Sequence, residues 1–191
     1  MNLIIAGVGG QGVLSIAAII TEAARREGRF VKQAEVHGMA QRGGSVQASI
    51  RIAPEPIASE LVPLGAAGLV VGLEPVEALR QVPYLADEGV VVTAAEPFEN
   101  IPDYPPLEEV HDAVRRIGGH LVEANRIARE AGSPRSSNVV MVGAASSWLP
   151  LGEGTIEACI REGFASKGGR VVEANVRAFH LGRDALAPVR G

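Results

Sequence analysis

Asn2-Leu3-Ile4-Ile5-Ala6-Gly7-Val8-Gly9-Gly10-Gln11-Gly12-Val13-Leu14 is the stretch on which the reading of this chain turns. Residues 2–6 form a short apolar run of strand type that stops at Gly7. From Val13 to Arg26 the composition is rich in Ala and Ile, with Arg25 and Arg26 in the last turn and Gly28 just beyond. Cations near a helix C-terminus and a following glycine are the expected stop signals. The stretch therefore predicts a buried strand, a glycine turn and a buried helix. Gly7 to Gly12 also satisfies the spacing G-x-G-x-x-G, in which backbone N–H groups and the positive end of a helix can approach a phosphate. The same glycines are equally expected where a helix packs tightly on a strand, so the motif alone leaves both roles open.

Outward from this turn, Phe30 to Val36 reads as a second strand and His37 to Gly44 as a polar loop. Ser45 to Ile52 alternates, with Val46, Ala48, Ile50 and Ile52 on one face and Ser45, Gln47, Ser49 and Arg51 on the other. A parallel crossover needs about a dozen residues or more. The eight residues from His37 to Gly44 are too few, which predicts that Ser45 to Ile52 runs antiparallel to a neighbour. Gly68 to Leu73 and Gly89 to Thr93 read as further strands, separated by a short helix over Glu74 to Val82 behind Pro75. Ala94 to Asp112 carries four prolines and six acids without a Lys or Arg; it reads as a surface excursion leading into a helix over Leu107 to Ile117. A short strand is expected at His120 to Glu123, then helices over Asn125 to Ala131, Ser137 to Trp148, Thr155 to Phe164 and Lys167 to Gly182. The expected fold is α/β: a single Rossmann-like three-layer domain over 1–191, with a mixed, mostly parallel sheet and a helical C-terminal third.

Composition removes several function classes. The chain has 191 residues, 47% hydrophobic and 21% charged, with a formal net charge of −4. That balance offers no basic surplus for nucleic acid or an anionic membrane surface. Met1 to Thr21 has no charged side chain, yet glycines interrupt the apolar run at its middle and no basic residues precede it, so neither a membrane span nor a signal peptide is expected. A single cysteine, Cys159, can form no internal disulfide and no all-cysteine metal or iron–sulfur site. A reducing cytoplasm fits that usage.

Chemistry concentrates in the glycine turn and in His37-Gly38-Met39-Ala40-Gln41-Arg42-Gly43-Gly44-Ser45. Arg42 offers a planar donor fork for carboxylate or phosphate, Gly43 and Gly44 bare their amides, and His37 is of the residue type that titrates near neutrality. Because each loop follows a strand, the two can line one crevice of an open α/β sheet. The other candidates read as structural. Glu74 and Glu77 suit the first turn of a helix, Cys159 suits a small core position, His111 suits a solvated surface, and His120 and His180 stand singly beside apolar runs. No P-loop, G-x-S-x-G or H-E-x-x-H occurs. A stand-alone nicotinamide or flavin enzyme would use Glu35, 23 residues past Gly12, to hold a ribose. A non-catalytic nucleotide or coenzyme A binding module is the other reading the residues leave open.

Taken together, Gly7-Val8-Gly9-Gly10-Gln11-Gly12-Val13-Leu14 and Glu35-Val36-His37-Gly38-Met39-Ala40-Gln41-Arg42-Gly43-Gly44-Ser45 resemble the gamma domain of 2-oxoacid:ferredoxin oxidoreductases. Glu74-Pro75-Val76-Glu77-Ala78, the stretch from Pro134 through Asn138 to Gly143, and Glu173 to Phe179 extend the resemblance along almost the whole chain. As a short free-standing chain it is similar to the beta subunits of the indolepyruvate-specific members. The resemblance implies a share in the oxidative decarboxylation of a 2-oxoacid to acyl-coenzyme A with electrons passed to ferredoxin. It implies no cofactor on this chain, thiamine diphosphate and iron–sulfur clusters on a larger alpha subunit, and coenzyme A as co-substrate. In isolation the chain is expected to be inactive, as a monomer or a homo-oligomer. The residues expected to bind an anionic ligand are Gly7, Gly9, Gly10, Gln11, Gly12, His37, Gln41, Arg42, Gly43 and Gly44, with the backbone amides of residues 9–12 and the Arg42 guanidinium forming the edge. No residue is assigned a chemical step.

Overall fold

Six strands and seven α-helices surround a single sheet among the residues that the computed structural model describes, which are 1–38, 43–99 and 101–186. The order across the sheet is β2-β3-β1-β4-β5-β6. In chain order, β1 (Asn2–Val8) is followed by α1 (Val13–Arg26), β2 (Phe30–His37) and β3 (Ser45–Ala53). Next come β4 (Ala67–Gly72), α2 (Pro75–Leu79), β5 (Leu85–Ala94), α3 (Leu107–Arg116) and β6 (His120–Val122). The last part is helical: α4 (Ala124–Glu130), α5 (Ser137–Ala145), α6 (Glu153–Phe164) and α7 (Gly169–Ala185).

The short loop has the topological effect expected of it, since β3 is antiparallel to both β1 and β2 while β1, β4, β5 and β6 run parallel. Alternation decides the two faces. Leu3, Ile5, Ala48, Ile50, Leu69 and Val71 point to the side covered by α1 and α5, and form the main core with them. Ile4, Val70 and Val91 point the other way, onto Ala78 of α2 and onto Val62. One more layer lies outside the three expected. Every residue from Val139 to Ala145 is buried, because α5 has the sheet on one side and α7 on the other. The two helices lie close enough that a Cβ on Gly143 would overlap the Phe179 carbonyl, and one on Gly182 the Val140 carbonyl. No helix among the described residues is long and apolar enough to cross a membrane.

What positions a site is the way chains leave neighbouring strands. From β1 the chain passes into α1 on one face; from the adjacent parallel β4 it passes into α2 on the other. Such a reversal opens a crevice beyond the carboxyl ends of the two strands.

Candidate functional site

The glycine turn sits at that crevice. The Gly9 N–H donates to the Gly44 carbonyl at 2.8 Å and the Gln11 N–H to the Val8 carbonyl at 3.0 Å. The Gln11 side chain closes the turn, accepting from the Val8 N–H at 2.7 Å and donating to the Leu73 carbonyl at 2.9 Å, so it ties the ends of β1 and β4 together. These bonds correct part of the expected anion edge. The amides of Gly9 and Gln11 are already used inside the chain, while those of Gly10 and Gly12 make no hydrogen bond to a described residue. Gly12 has to be glycine twice over: its φ is +86°, and a Cβ would run into the side-chain amide of Asn138. It also caps α1 without any side-chain hydrogen bond.

Beside the turn opens a cavity of about 460 Å³, within the size range of small-molecule sites. Gly10 and Gln11 line it after β1, Leu73 after β4, and Ala94, Glu96, Pro97 and Phe98 at the end of β5 and beyond. The remaining wall comes from Ala124 and Asn125 at the start of α4, and from Arg135, Ser137, Asn138 and Met141 around the N-terminus of α5. Arg135 is exposed and forms no ion pair with a described residue. The N-cap of α5, Ser136, makes no side-chain cap either. One acid belongs to the cavity: Glu96, whose Oε1 accepts from the Asn125 N–H at 2.8 Å. A free guanidinium beside the uncapped starts of two helices suits an anionic group, and Phe98 and Met141 give the rest of a ligand apolar contact.

Of the eight expected site residues that are described, Gly10 and Gln11 line this cavity. Gly7, Gly9 and Gly12 shape the turn behind it. Gly44 joins the two loops through its carbonyl, and Gly43 flanks it. Gln41 and Arg42 lie outside the described residues. His37 stands away from the cavity with its side chain half exposed, 3.4 Å from the Glu35 carboxylate. The sheet order also places Glu35 badly for a ribose at the glycine turn. β3 lies between β2 and β1, which puts the two strands roughly 10 Å apart. Arg135 and Asn138 were passed over as binding residues because the signal that could find them, their closeness to the glycine turn, spans more than 120 residues of sequence.

A second polar cluster sits on the opposite face, where Glu74 and Glu77 stand at the start of α2 as expected. Both are also buried, at 1% and 3% exposure, which the sequence did not indicate. Glu74 caps α2, accepting from the Glu77 N–H at 2.8 Å, and its other oxygen accepts from the Tyr104 hydroxyl. Burial first, and then that carboxylate, hold the Tyr104 phenol well above its ordinary range. Glu77 accepts from Ser45 Oγ at 2.5 Å and from Arg80 at 3.1 Å. The two acids thereby fix the start of β3, next to the polar loop, and the far end of the excursion that carries Phe98. His111, expected at a solvated surface, is instead half buried and bonded to the Ala95 carbonyl at 2.7 Å. His120 lies against Trp148 with the rings tilted, and His180 lies between Glu153 and Glu157. Cys159 is a core residue, and burial pushes its thiol up.

The sequence model of the family described as pyruvate ferredoxin/flavodoxin oxidoreductase matches residues 2–185. The chain belongs to that family. It is 39% identical over 201 residues to the indolepyruvate oxidoreductase subunit IorB of Thermococcus kodakarensis, covering 100% of this chain and 98% of that protein. The like-named subunit of Archaeoglobus fulgidus is 37% identical over 192 residues, covering 95% and 93%. In fold the chain is similar to the 2-oxoglutarate:ferredoxin oxidoreductase of Magnetococcus marinus, with a TM-score of 0.77 at 21% identity. The match covers 97% of this chain but only 31% of that one. The gamma subunit of a keto/oxoacid ferredoxin oxidoreductase from Geobacter sulfurreducens has a TM-score of 0.69 at 19% identity, with 97% of both chains covered. At these identities the structural likeness speaks for the fold, and the family rests on the sequence matches.

Proposed function

We propose that this chain is the smaller subunit of an oxidoreductase that converts an arylpyruvate such as indolepyruvate to the acyl-coenzyme A and carbon dioxide, with electrons leaving to ferredoxin. The observation that carries this reading is the end-to-end likeness, at 37–39% identity, to proteins that are themselves named indolepyruvate oxidoreductase subunits. The chain's own residues do not fit an iron–sulfur cluster. Its one cysteine falls short of a cluster ligand set, and among the described residues no group of three or more His, Cys, Asp or Glu side chains is arranged to hold a metal ion. The clusters, and with them thiamine diphosphate, are therefore assigned to a larger partner subunit, and this chain to a position beside it.

The part proposed for its own residues is binding. The Gly10 and Gly12 amides, Arg135 and Asn138 hold an anionic group at the starts of α1 and α5, while Phe98 and Met141 receive its apolar portion. Coenzyme A, with phosphates at one end and a largely uncharged arm, suits that division. Arg42 is proposed as a second cation, Gln41 as a group that orients ligand or partner, and His37 as a contact outside the cavity.

Anaerobic affinity purification of the tagged chain from its host, followed by mass spectrometry and a visible spectrum, tests the assembly. A larger co-purifying subunit with iron–sulfur absorbance, and arylpyruvate- and coenzyme A-dependent reduction of ferredoxin by the eluate, is the expected result. A chain that elutes alone and colourless would overturn the subunit reading.

A further inference from the structure

Among the described residues the sheet ends at an open edge, where β2 pairs on one side only, with β3, in an unbroken register from Phe30 opposite Ala53 to His37 opposite Val46. Edge strands present a row of unpaired backbone groups to other chains, and proteins usually blunt them with charged side chains, especially Lys, with prolines or bulges, or by keeping them very short; the one lysine of β2, Lys32, is tied back to the Ala58 carbonyl. This one is eight residues long, lacks proline and carries no bulge.

Its side chains divide by face. Gln33 accepts from Thr21 on α1 at 2.9 Å, so Val31, Gln33, Glu35 and His37 lie on the α1 side. Phe30, Lys32, Ala34 and Val36 lie on the other, where Lys32 donates to the Ala58 carbonyl at 2.9 Å. Among the described residues no helix covers β2 on that side. Phe30 is 47% and Val36 60% exposed, and they stand six residues apart on the same face.

Two copies related by a two-fold axis normal to the sheet would set their β2 strands antiparallel and keep like faces together. Each possible register then centres on one residue. Centring on Lys32 or on Glu35 sets like charges directly opposite, which is unfavourable. Centring on Ala34 leaves Phe30 beyond the end of the partner strand. Centring on Gln33 places Phe30 of each copy opposite Val36 of the other, twice, with Lys32 opposite Ala34 and Val31 opposite Glu35. We propose that this chain self-associates through an antiparallel β2–β2 pairing centred on Gln33, which continues the sheet from one copy into the next. The seven-residue ladder is small compared with a standard stable interface, so the dimer is weak and concentration-dependent.

Sedimentation velocity of the full chain, from micromolar to millimolar concentration, tests this together with variants of the two exposed positions. The wild type is expected to move from monomer to dimer. F30K and V36E are each expected to weaken association by about tenfold or more, because the altered pair occurs twice. In the double variant F30K/V36E opposite charges face each other across the axis, and association is expected to recover. Q33C is expected to give a disulfide-linked dimer on mild oxidation, since the two introduced thiols meet at the axis while Cys159 is buried. A wild type that stays monomeric throughout, a dimer indifferent to both single changes, or a double variant no better than the singles would each overturn the pairing. None of these outcomes depends on whether a larger subunit co-purifies.

Discussion

Around α2 the two buried carboxylates are spent on the chain itself. Glu74 holds a backbone N–H and the Tyr104 hydroxyl, and Glu77 holds Ser45 and Arg80. Across the sheet, at the starts of α1 and α5, the polar groups are unspent. Arg135 and Gly10 line a cavity there, the amides of Gly10 and Gly12 make no hydrogen bond to a described residue, and Ser136 leaves the start of α5 without a side-chain cap. Both regions lie just past the carboxyl ends of parallel strands, where backbone donors and acceptors are left over. Buried groups have to be satisfied internally or the fold loses stability. Groups beside water can wait for a ligand. The α2 corner therefore reads as the brace and the α1/α5 cleft as the mouth, a distinction that residue type alone would have reversed.

That contrast can be broken by substitution. Glu77→Ala is expected to cost the most stability, about 3 kcal/mol, because it takes the acceptor from the Ser45 hydroxyl and leaves a void at a buried position, while the half-exposed Arg80 can turn to water. A loss below about 1 kcal/mol in denaturant titration would remove the brace. Gly12→Ala comes next, at about 2 kcal/mol, since it meets both the left-handed backbone and the Asn138 side chain; differential scanning calorimetry reads it directly.

A smaller effect is expected at the outer layer. Arg161 first, and then His180, hold the Glu157 carboxyl below its ordinary value. A carboxylate whose pKa is lowered on folding contributes stability above its unfolded range, and that contribution is lost as the pH falls. Glu157→Gln should accordingly flatten the acid side of a melting temperature against pH profile while changing little near neutrality. Arg135→Ala is expected to change stability least, within about 0.5 kcal/mol, as an exposed cation without a partner among the described residues. In the assembled complex the same change is expected to raise the KM for coenzyme A by about tenfold, the loss of one charge-assisted contact. An unchanged KM would mean that the cleft is not where that ligand's anionic group is held.

Local signals made most of the architecture legible before any coordinates. Val13 to Arg26 was readable to the residue because a glycine precedes it and two arginines and a glycine close it. The antiparallel β3 followed from alternation and a loop too short to cross over. Strands such as Leu85–Ala94 are longer than expected, because a further pairing of Leu85 with Ala67 extends the strand beyond its apolar centre, past an irregularity that holds Asp87 and Glu88. The two motifs were legible as a pair, and the Gly9 to Gly44 hydrogen bond joins them. Which amides that junction uses up was not.

What the sequence by itself determined is the family, the strand, turn and helix order, and a mixed sheet with its glycine turn at a carboxyl edge. These depend on residue type, periodicity and spacing within a few residues. Tertiary structure alone decided that Glu74 and Glu77 are buried, that Arg135 and Asn138 stand beside Gly10 and Gly12, and that β2 is left as an open edge. Each of those outcomes depends on which elements meet in space, and the meeting is settled by the packing of two whole sheet faces, a sum over many weak apolar contacts that no short stretch of sequence records.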